Sequence, residues 1–555
     1  MMTPIEILQR FKRQRGQRTV VEDLWRDIAR YIMPLSSNFN MARGEGSKNW
    51  STREVWDSTA PIGAQRLASM YYASMFNPAA KWFSLGFRNP IVQKDKEAQA
   101  WIEAVTSLMY EAIVASNFGL EMAAGIYSMV GFGNTCIVVE PVNPEKWEGI
   151  DCAAVPLEEV EFEEDHKGRP RVFWRNYKWT AGQIVAKFTN PSTGEVHPTI
   201  TDELKKAESE GDTRQWDVVF CVYPRTGAPP MKVGEKVRAA KARPFAYQYV
   251  LEQGQVALGD EGGYYEMPSF IGRWDKAVGS KWGFGPGALA LPTVKLINAW
   301  LEAITDAAEK AVDPATLVTE RGLLSDLNLR KGGKTVVRRI EDIVPYESKA
   351  RFDVSEMMLS DMRNMVRKYF REDDLTLKDS PAMTATEAQL RVELLNRLFG
   401  ATVGRTNNDL SDPMLQLIFN MMYRADRFPP PPAIVLQTNP AMRIEYLGPF
   451  MRSQRTDEVA AIERLFSAVA AAKKMQFEDA SDAFDAGGAV REMAERLATP
   501  AACLRSAAEA RAMRVERAKM AKAAQTAQVM KTAAEGDKAA AMAQSEGAPD
   551  ESDAA

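Results

Sequence analysis

Four carboxylates crowd one short stretch, Arg371-Glu372-Asp373-Asp374-Leu375-Thr376-Leu377-Lys378-Asp379. Glu372, Asp373, Asp374 and Asp379 are hard oxygen donors, the kind of set a divalent cation needs before it can activate water against a phosphodiester. The stretch holds no histidine and no fixed basic partner, so it reads first as a solvated acidic loop. A second cluster is basic: Arg321, Arg330, Lys331, Lys334, Arg338 and Arg339 fall within twenty residues. Such a run is either a docking surface for an acidic partner or an ordinary solvated face.

Little else in the chain can do chemistry. His166 and His197 are the only histidines, and both sit in turn-like contexts. Cys136, Cys152, Cys221 and Cys503 form no Cys-x-x-Cys pair, which leaves neither a zinc module nor a disulfide framework and fits a reducing compartment. Gly131-Phe132-Gly133 precedes a strand instead of opening a helix, so it offers no helix N-terminus to a phosphate. Gly283-Phe284-Gly285-Pro286-Gly287 does open a helix, but no Gly-x-x-x-x-Gly-Lys-Ser/Thr occurs anywhere. The expectation is a protein with no catalytic residues, no metal and no cofactor.

The elements that position the two charged clusters are helices. After Gly287, the residues Val294, Ile297, Leu301, Ile304, Ala308 and Ala311 recur at 3,4,3,4,3 and paint one narrow face. The helix predicted over 286–312 is about 40 Å long and stops at Asp313-Pro314. Two short strands, 315–318 and 335–340, are predicted in the basic excursion that follows. From Asp353 a second helix carries Val354, Met358, Met362, Met365 and Tyr369 on one face. The acidic loop comes next, and Thr384-Ala385-Thr386-Glu387 then caps a helix that Asp412-Pro413 kinks or restarts.

The flanking segments set this unit in a larger body. Residues 5–33 are predicted helical, as are 62–76, 95–116 and 120–129. Residues 137–273 alternate in the manner of strands and hairpins, with a turn at Asp165 to Gly168. Two short strands are predicted at 433–436 and 443–446. Residues beyond 456 are helical with an alanine bias, and the Ala/Gly/Ser/acidic tail from 532 is predicted to lack structure. The fold class is α+β, mainly helical. With 555 residues, 45% apolar and 26% charged, the chain can bury real cores. No apolar run reaches membrane-spanning length and no export signal is evident, so a soluble protein is expected. A formal charge of −4 excludes wrapping nucleic acid through a general basic surface.

Five stretches in order carry a resemblance: Asp57-Ser58-Thr59-Ala60 with Gln65-Arg66-Leu67-Ala68-Ser69; Gly133-Asn134-Thr135; Trp282-Gly283-Phe284-Gly285-Pro286-Gly287; Thr384-Ala385-Thr386-Glu387-Ala388; and Ala489-Val490-Arg491-Glu492-Met493 running on to Thr499-Pro500. Together the chain resembles the portal, or head-to-tail connector, proteins of short-tailed bacteriophages over residues 24–527. The match departs at Leu497-Ala498-Thr499-Pro500, where a glycine is expected before the proline.

The resemblance implies a homododecameric virion ring at one capsid vertex, assembled in the host cytoplasm. Double-stranded DNA passes through its channel non-specifically in genome packaging and ejection, and no membrane is involved. It implies docking to a terminase motor, to tail adaptor proteins, and to capsid or scaffold protein. In its terms 1–273 form a wing with a β-rich insert, 274–312 and 353–370 the two stem helices, 313–352 a small clip and 371–383 a tunnel loop. Residues 384–455 are a kinked helix returning to the wing, 456–531 a helical crown and 532–555 a disordered tail. Glu372, Asp373, Asp374 and Asp379 become channel-lining candidates, and Arg321, Arg330, Lys331, Lys334, Arg338 and Arg339 partner-docking candidates. The alternative is a metal-dependent nuclease or NTPase acting in DNA packaging, for which only the acidic loop speaks.

Overall fold

The computed structural model describes residues 2–34, 36, 55–77, 81–93, 95–143, 146–190, 193–227, 238–312, 316–318, 336, 339, 343–345, 352–372, 399–438, 441–447, 459, 461–471, 487–490, 493 and 507–545. These divide into two compact units. The larger comprises 1–86, 103–430 and 442–454, and the smaller 87–102, 431–441 and 455–555.

Helix α1 (Pro4–Tyr31) opens on a capping box in which the Thr3 hydroxyl accepts from the Glu6 amide and the Glu6 carboxylate accepts from the Thr3 amide. Pro4 at the first helical position costs nothing there, because that N–H would have no intrahelical partner. Ile7, Leu8 and Phe11 share one face, and their burial, worth about 1.5–3 kcal/mol each, fixes the helix on a sheet.

That sheet has the order β4-β5-β6-β7-β8, an antiparallel meander of β4 (Val160–Glu164), β5 (Pro170–Thr180), β6 (Gln215–Pro224), β7 (Phe245–Leu251) and β8 (Val256–Tyr264). The register pairs Trp174 with Cys221 and Val219 with Val250. Because side chains alternate, Val172, Trp174, Val219, Cys221 and Val250 turn to α1. Phe220, Tyr247 and Tyr249 turn to the other face, where their rings meet. Helices α6 (Ala181–Lys187) and α7 (Asp202–Ser209) cover part of the sheet through Ile184, Val185 and Leu204.

A smaller sheet, β3-β2-β9, joins β2 (Asn134–Pro141) to β3 (Ile150–Ala154) and β9 (Ser269–Arg273). Helix α5 (Phe118–Phe132) closes its β3 edge with side chains. Asn117, just before the helix, exchanges two hydrogen bonds with the Cys152 backbone at 2.8 and 2.9 Å, and Glu121 accepts from the Ala154 amide at 2.7 Å. An edge satisfied this way cannot recruit another strand. Helix α2 (Thr59–Met75) packs on α5 and buries Ala64, Leu67, Ala68 and Tyr71.

Helix α8 (Pro286–Val312) and helix α9 (Phe352–Tyr369) pack along each other. Strands β12 (Thr316–Val318) and β13 (Ile343–Pro345) pair antiparallel between them, Leu317 opposite Val344. The first strand lies where the sequence predicts it. Its partner forms at the β-branched pair Ile343-Val344; of the second predicted run, 335–340, only 336 and 339 are among the described residues.

Three further readings need correction. Residues 433–436 are not a strand but begin helix α11 (Ala433–Thr438), because Pro432 ends a proline run and its carbonyl accepts from the Val435 and Leu436 amides. Helix α12 (Ala507–Ser545) in the smaller unit continues thirteen residues past 532, as alanine, lysine and glutamine have high intrinsic helix propensity. The apolar face of α9 is also rotated: Leu359, Met362 and Val366 are buried, while Met358 and Met365 are about half exposed. The expected helix from 384 lies outside the described residues until 399. It then makes a π turn, Asn407–Ser411, before α10 (Asp412–Arg424). Pro413 has no N–H for the carbonyl four residues back, and the extra residue in the turn absorbs the mismatch. Among the described residues no single helix is long and apolar enough to cross a membrane.

Candidate functional site

Motifs that are scattered in sequence meet at α8 and α9, within the larger unit. Asp57, buried ahead of α2, accepts from Arg363 Nε of α9 at 2.7 Å and from the Thr59 amide at 2.9 Å. Asn298 of α8 accepts from the Trp56 amide at 2.7 Å through its Oδ1, and its own Nδ2 donates to the Val294 carbonyl. One short segment thus ties both long helices. Burial pushes the Asp57 carboxyl up, but the hydrogen bonds from Thr59 and Arg363 more than offset it, and the group sits below its ordinary range.

The glycines form the other half of this root. Gly133 ends α5 with φ +81°, and a Cβ there would lie 2.5 Å from the Gly285 amide nitrogen. Gly287, in the first turn of α8, lies so close to α5 that a Cβ would be 2.4 Å from the Gly131 carbonyl oxygen. Between them Asn134 acts as a side-chain strand, donating to the Gly283 carbonyl at 2.9 Å and accepting from its amide at 2.7 Å. The Gly283–Gly287 stretch is therefore a close backbone contact between the end of α5 and the start of α8.

At the far end of α9, Phe370 is fully buried against Gly63 of α2. Arg371 takes a left-handed conformation, φ 53°, and its guanidinium lies 4.6 Å from the centre of the Phe399 ring. The next residue is Glu372, the first of the four acidic candidates. Its carboxylate pairs with Arg66 of α2 and lies 4.0 Å from Arg367. The first carboxylate of the acidic stretch is therefore held by two guanidinium groups. Asp373, Asp374 and Asp379 lie outside the described residues. Arg66 and Arg367 were not among the residues singled out for their chemistry, though Arg66 falls inside a stretch that the resemblance rests on.

Of the basic candidates, Arg339 is exposed. Arg321, Arg330, Lys331, Lys334 and Arg338 lie outside the described residues. Among the described residues no group of three or more His, Cys, Asp and Glu is placed to hold a metal ion. Burial raises the Cys136 and Cys152 thiols to about 12 and drives Cys221 well above its ordinary value, so all three stay protonated and unreactive at neutral pH.

The chain is 24% identical over 497 residues to a probable portal protein of Bordetella phage BPP-1, covering 86% of this chain and 85% of that one. It is 21% identical over 496 residues to the portal protein of Salmonella phage epsilon15, covering 86% of each. A chain from the neck of an empty GTA particle aligns with 79% of this chain and 95% of its own length, at 13% identity and a TM-score of 0.35. The family described as bacteriophage head to tail connecting protein matches residues 5–504, nine-tenths of the sequence, and the chain belongs to that family.

Proposed function

We propose that the chain is the subunit of a portal ring, a structural component of the virion at one capsid vertex, through which DNA is packaged and ejected. The observation that carries this reading is a pair of long helices rooted in the body with apolar side chains left uncovered. Leu289 and Leu296 of α8 are 68% and 49% exposed, and Met357, Met358 and Met365 of α9 are 71%, 45% and 48% exposed. A helix pair that buries only one face in its own subunit suits head-to-tail packing against a neighbouring copy. Two curated relatives of matching length are portal proteins, and the family is one of head-to-tail connectors.

In this reading α8 and α9 are the stem, 313–352 the clip and 371–383 the tunnel loop. Residues 1–273 are then the wing, and the helices beyond 456 the crown. The basic clip residues Arg321, Arg330, Lys331, Lys334, Arg338 and Arg339 meet the terminase motor and tail adaptors. Capsid or scaffold protein surrounds the ring, and assembly takes place in the host cytoplasm. The protein performs no bond chemistry of its own.

Native mass measurement tests the assembly. Twelve copies of a 61.8 kDa chain give a species of about 740 kDa. A monomer or dimer that persists across micromolar concentrations overturns the ring.

A further inference from the structure

Helix α8 carries a second apolar stripe besides the one that its spacing first brings out. Leu289, Pro292, Leu296, Ala299 and Ala303 recur at 3,4,3,4, and all five are exposed. At 3.6 residues per turn they lie on the side opposite Ala290, Val294 and Ile297, which are buried. Single exposed apolar residues are ordinary, but five aligned over about 20 Å with no charge among them form a face that needs a cover. Lys295 and Glu302 stand to one flank of it, and Lys295 is already tied to Asp27 of α1 at 2.6 Å.

Helix α9 has a face of the same kind. Leu359, Met362, Val366 and Phe370 are buried, while Met357, Met358 and Met365 are turned out. The two helices pack on each other through their buried faces, so their uncovered faces lie on different sides of the pair. One clamp sets their relative height: Asp57 accepts from Arg363 Nε at 2.7 Å, and the Trp56 amide beside it donates to Asn298 at 2.7 Å. The chain leaves along α8 and returns along α9, so the helices run antiparallel. Counting from Asn298 opposite Arg363, Leu296 stands level with Met365 and Ala303 with Met358. Two copies that met stripe to stripe would pair and stop, whereas contact between two different faces repeats around a ring, and rotation about the ring axis leaves every residue at its own height.

We propose that the outer stripe of α8 is the seat for α9 of the neighbouring copy. Met365 of that copy settles on Leu296, and its Met358 on Ala299 and Ala303, where small side chains leave room for a long flexible one. The assignment rests on the ring reading and adds to it which face meets which, and at what register.

Cross-linking between separate full-length chains tests it. Leu296→Cys and Met365→Cys are each made in a Cys503→Ser chain, one of the two is tagged, and the mixed chains are assembled and treated with a short bis-maleimide; Cys136, Cys152 and Cys221 are buried. Covalent dimers containing one chain of each kind are expected from the mixture, and none from either chain alone. Ala303→Cys with Met358→Cys should behave the same way, while Leu296→Cys with Met358→Cys, about 10 Å apart along the axis, should not link. Leu296→Glu is expected to give a folded chain, checked by thermal unfolding, that no longer closes into a ring, whereas Val20→Glu, at a position of α1 that is 85% exposed, assembles as the parent does. Native mass measurement on the same samples separates the two readings. A ring without mixed cross-links, Leu296→Cys chains linked to one another, or normal assembly of Leu296→Glu overturns the seating and leaves the ring; a parent chain that forms no ring overturns both.

Discussion

Arg18 is a basic residue midway along a helix rich in Arg and Lys, and nothing in its sequence neighbourhood separates it from the solvated cations around it. It is 1% exposed. Its Nη1 donates to the carbonyls of Leu157, Glu158 and Val160 and pairs at 2.9 Å with Glu161, which is equally buried. Burial raises the Glu161 carboxyl, and Arg18 and Lys281 only partly pull it back. Removing one partner of such a pair strands the other charge, so Arg18→Met is expected to cost about 3–5 kcal/mol in chemical denaturation. The double variant with Glu161→Leu should recover most of it; a double variant no more stable than the single one would show that packing, not charge, dominates. Asp57 provides the matching pH test. Its carboxyl is lowered from an ordinary value of 3.8, so the stability it contributes is complete above that value and is lost as pH falls through the lowered one. Asp57→Asn should flatten the melting-temperature profile in that acid window and leave the slope at neutral pH unchanged. Here the sequence was readable in part: Asp57 was visible in a motif and as a neighbour of a helix start, but Arg363, 306 residues away, was not.

Helix entries and exits were the most legible features. The 3,4 spacing marked one face of α8, and Pro286 and the Asp313-Pro314 pair bracketed the helix, boundaries that follow from proline's missing N–H. What spacing cannot supply is the neighbour across the interface. The α9 stripe was misassigned for that reason, since Met358 and Met365 are as apolar as Leu359 and Val366, and only the position of α8 and α2 decides which set is covered. The glycines follow the same logic. Gly283 to Gly287 looked like an ordinary helix entry, and its purpose appears only when α5 is brought against it. Gly287→Ala is expected to destabilise by about 1–3 kcal/mol, because the added methyl meets a carbonyl oxygen that cannot rotate away. Gly400→Ala is the control: it is helical with nothing within 4 Å of the added carbon, and should stabilise by about 0.5–1 kcal/mol. Urea midpoints of the two variants decide the point, and equal shifts would show that close approach at α8 is not what the glycine is for.

At the scale of the whole assembly, a feature of one subunit is multiplied by the symmetry of the ring. Glu372 pairs with Arg66 and lies 4.0 Å from Arg367, so in the proposed ring its charge would add little to a channel wall and it would anchor the start of the loop. In the proposed ring, Asp373, Asp374 and Asp379 add three further negative charges per subunit to the loop. Repeated around a channel, they repel passing phosphates over about 8–10 Å at physiological salt, which lets a duplex slide without sticking. The two roles are separable. Asp373→Asn with Asp374→Asn and Asp379→Asn should leave ring assembly intact and reduce the salt sensitivity of packaging and ejection, with DNA held more firmly at low salt. Glu372→Gln should leave that salt sensitivity alone and instead loosen the loop root, an effect that Arg66→Gln reproduces and the double variant does not deepen. Packaging and ejection measured across salt concentrations, with magnesium present throughout, distinguish the cases. A triple variant that behaves like the parent at every salt concentration removes the loop charge from the mechanism. Cleavage of DNA by the parent that the triple variant loses would make the same carboxylates metal ligands and return the nuclease reading.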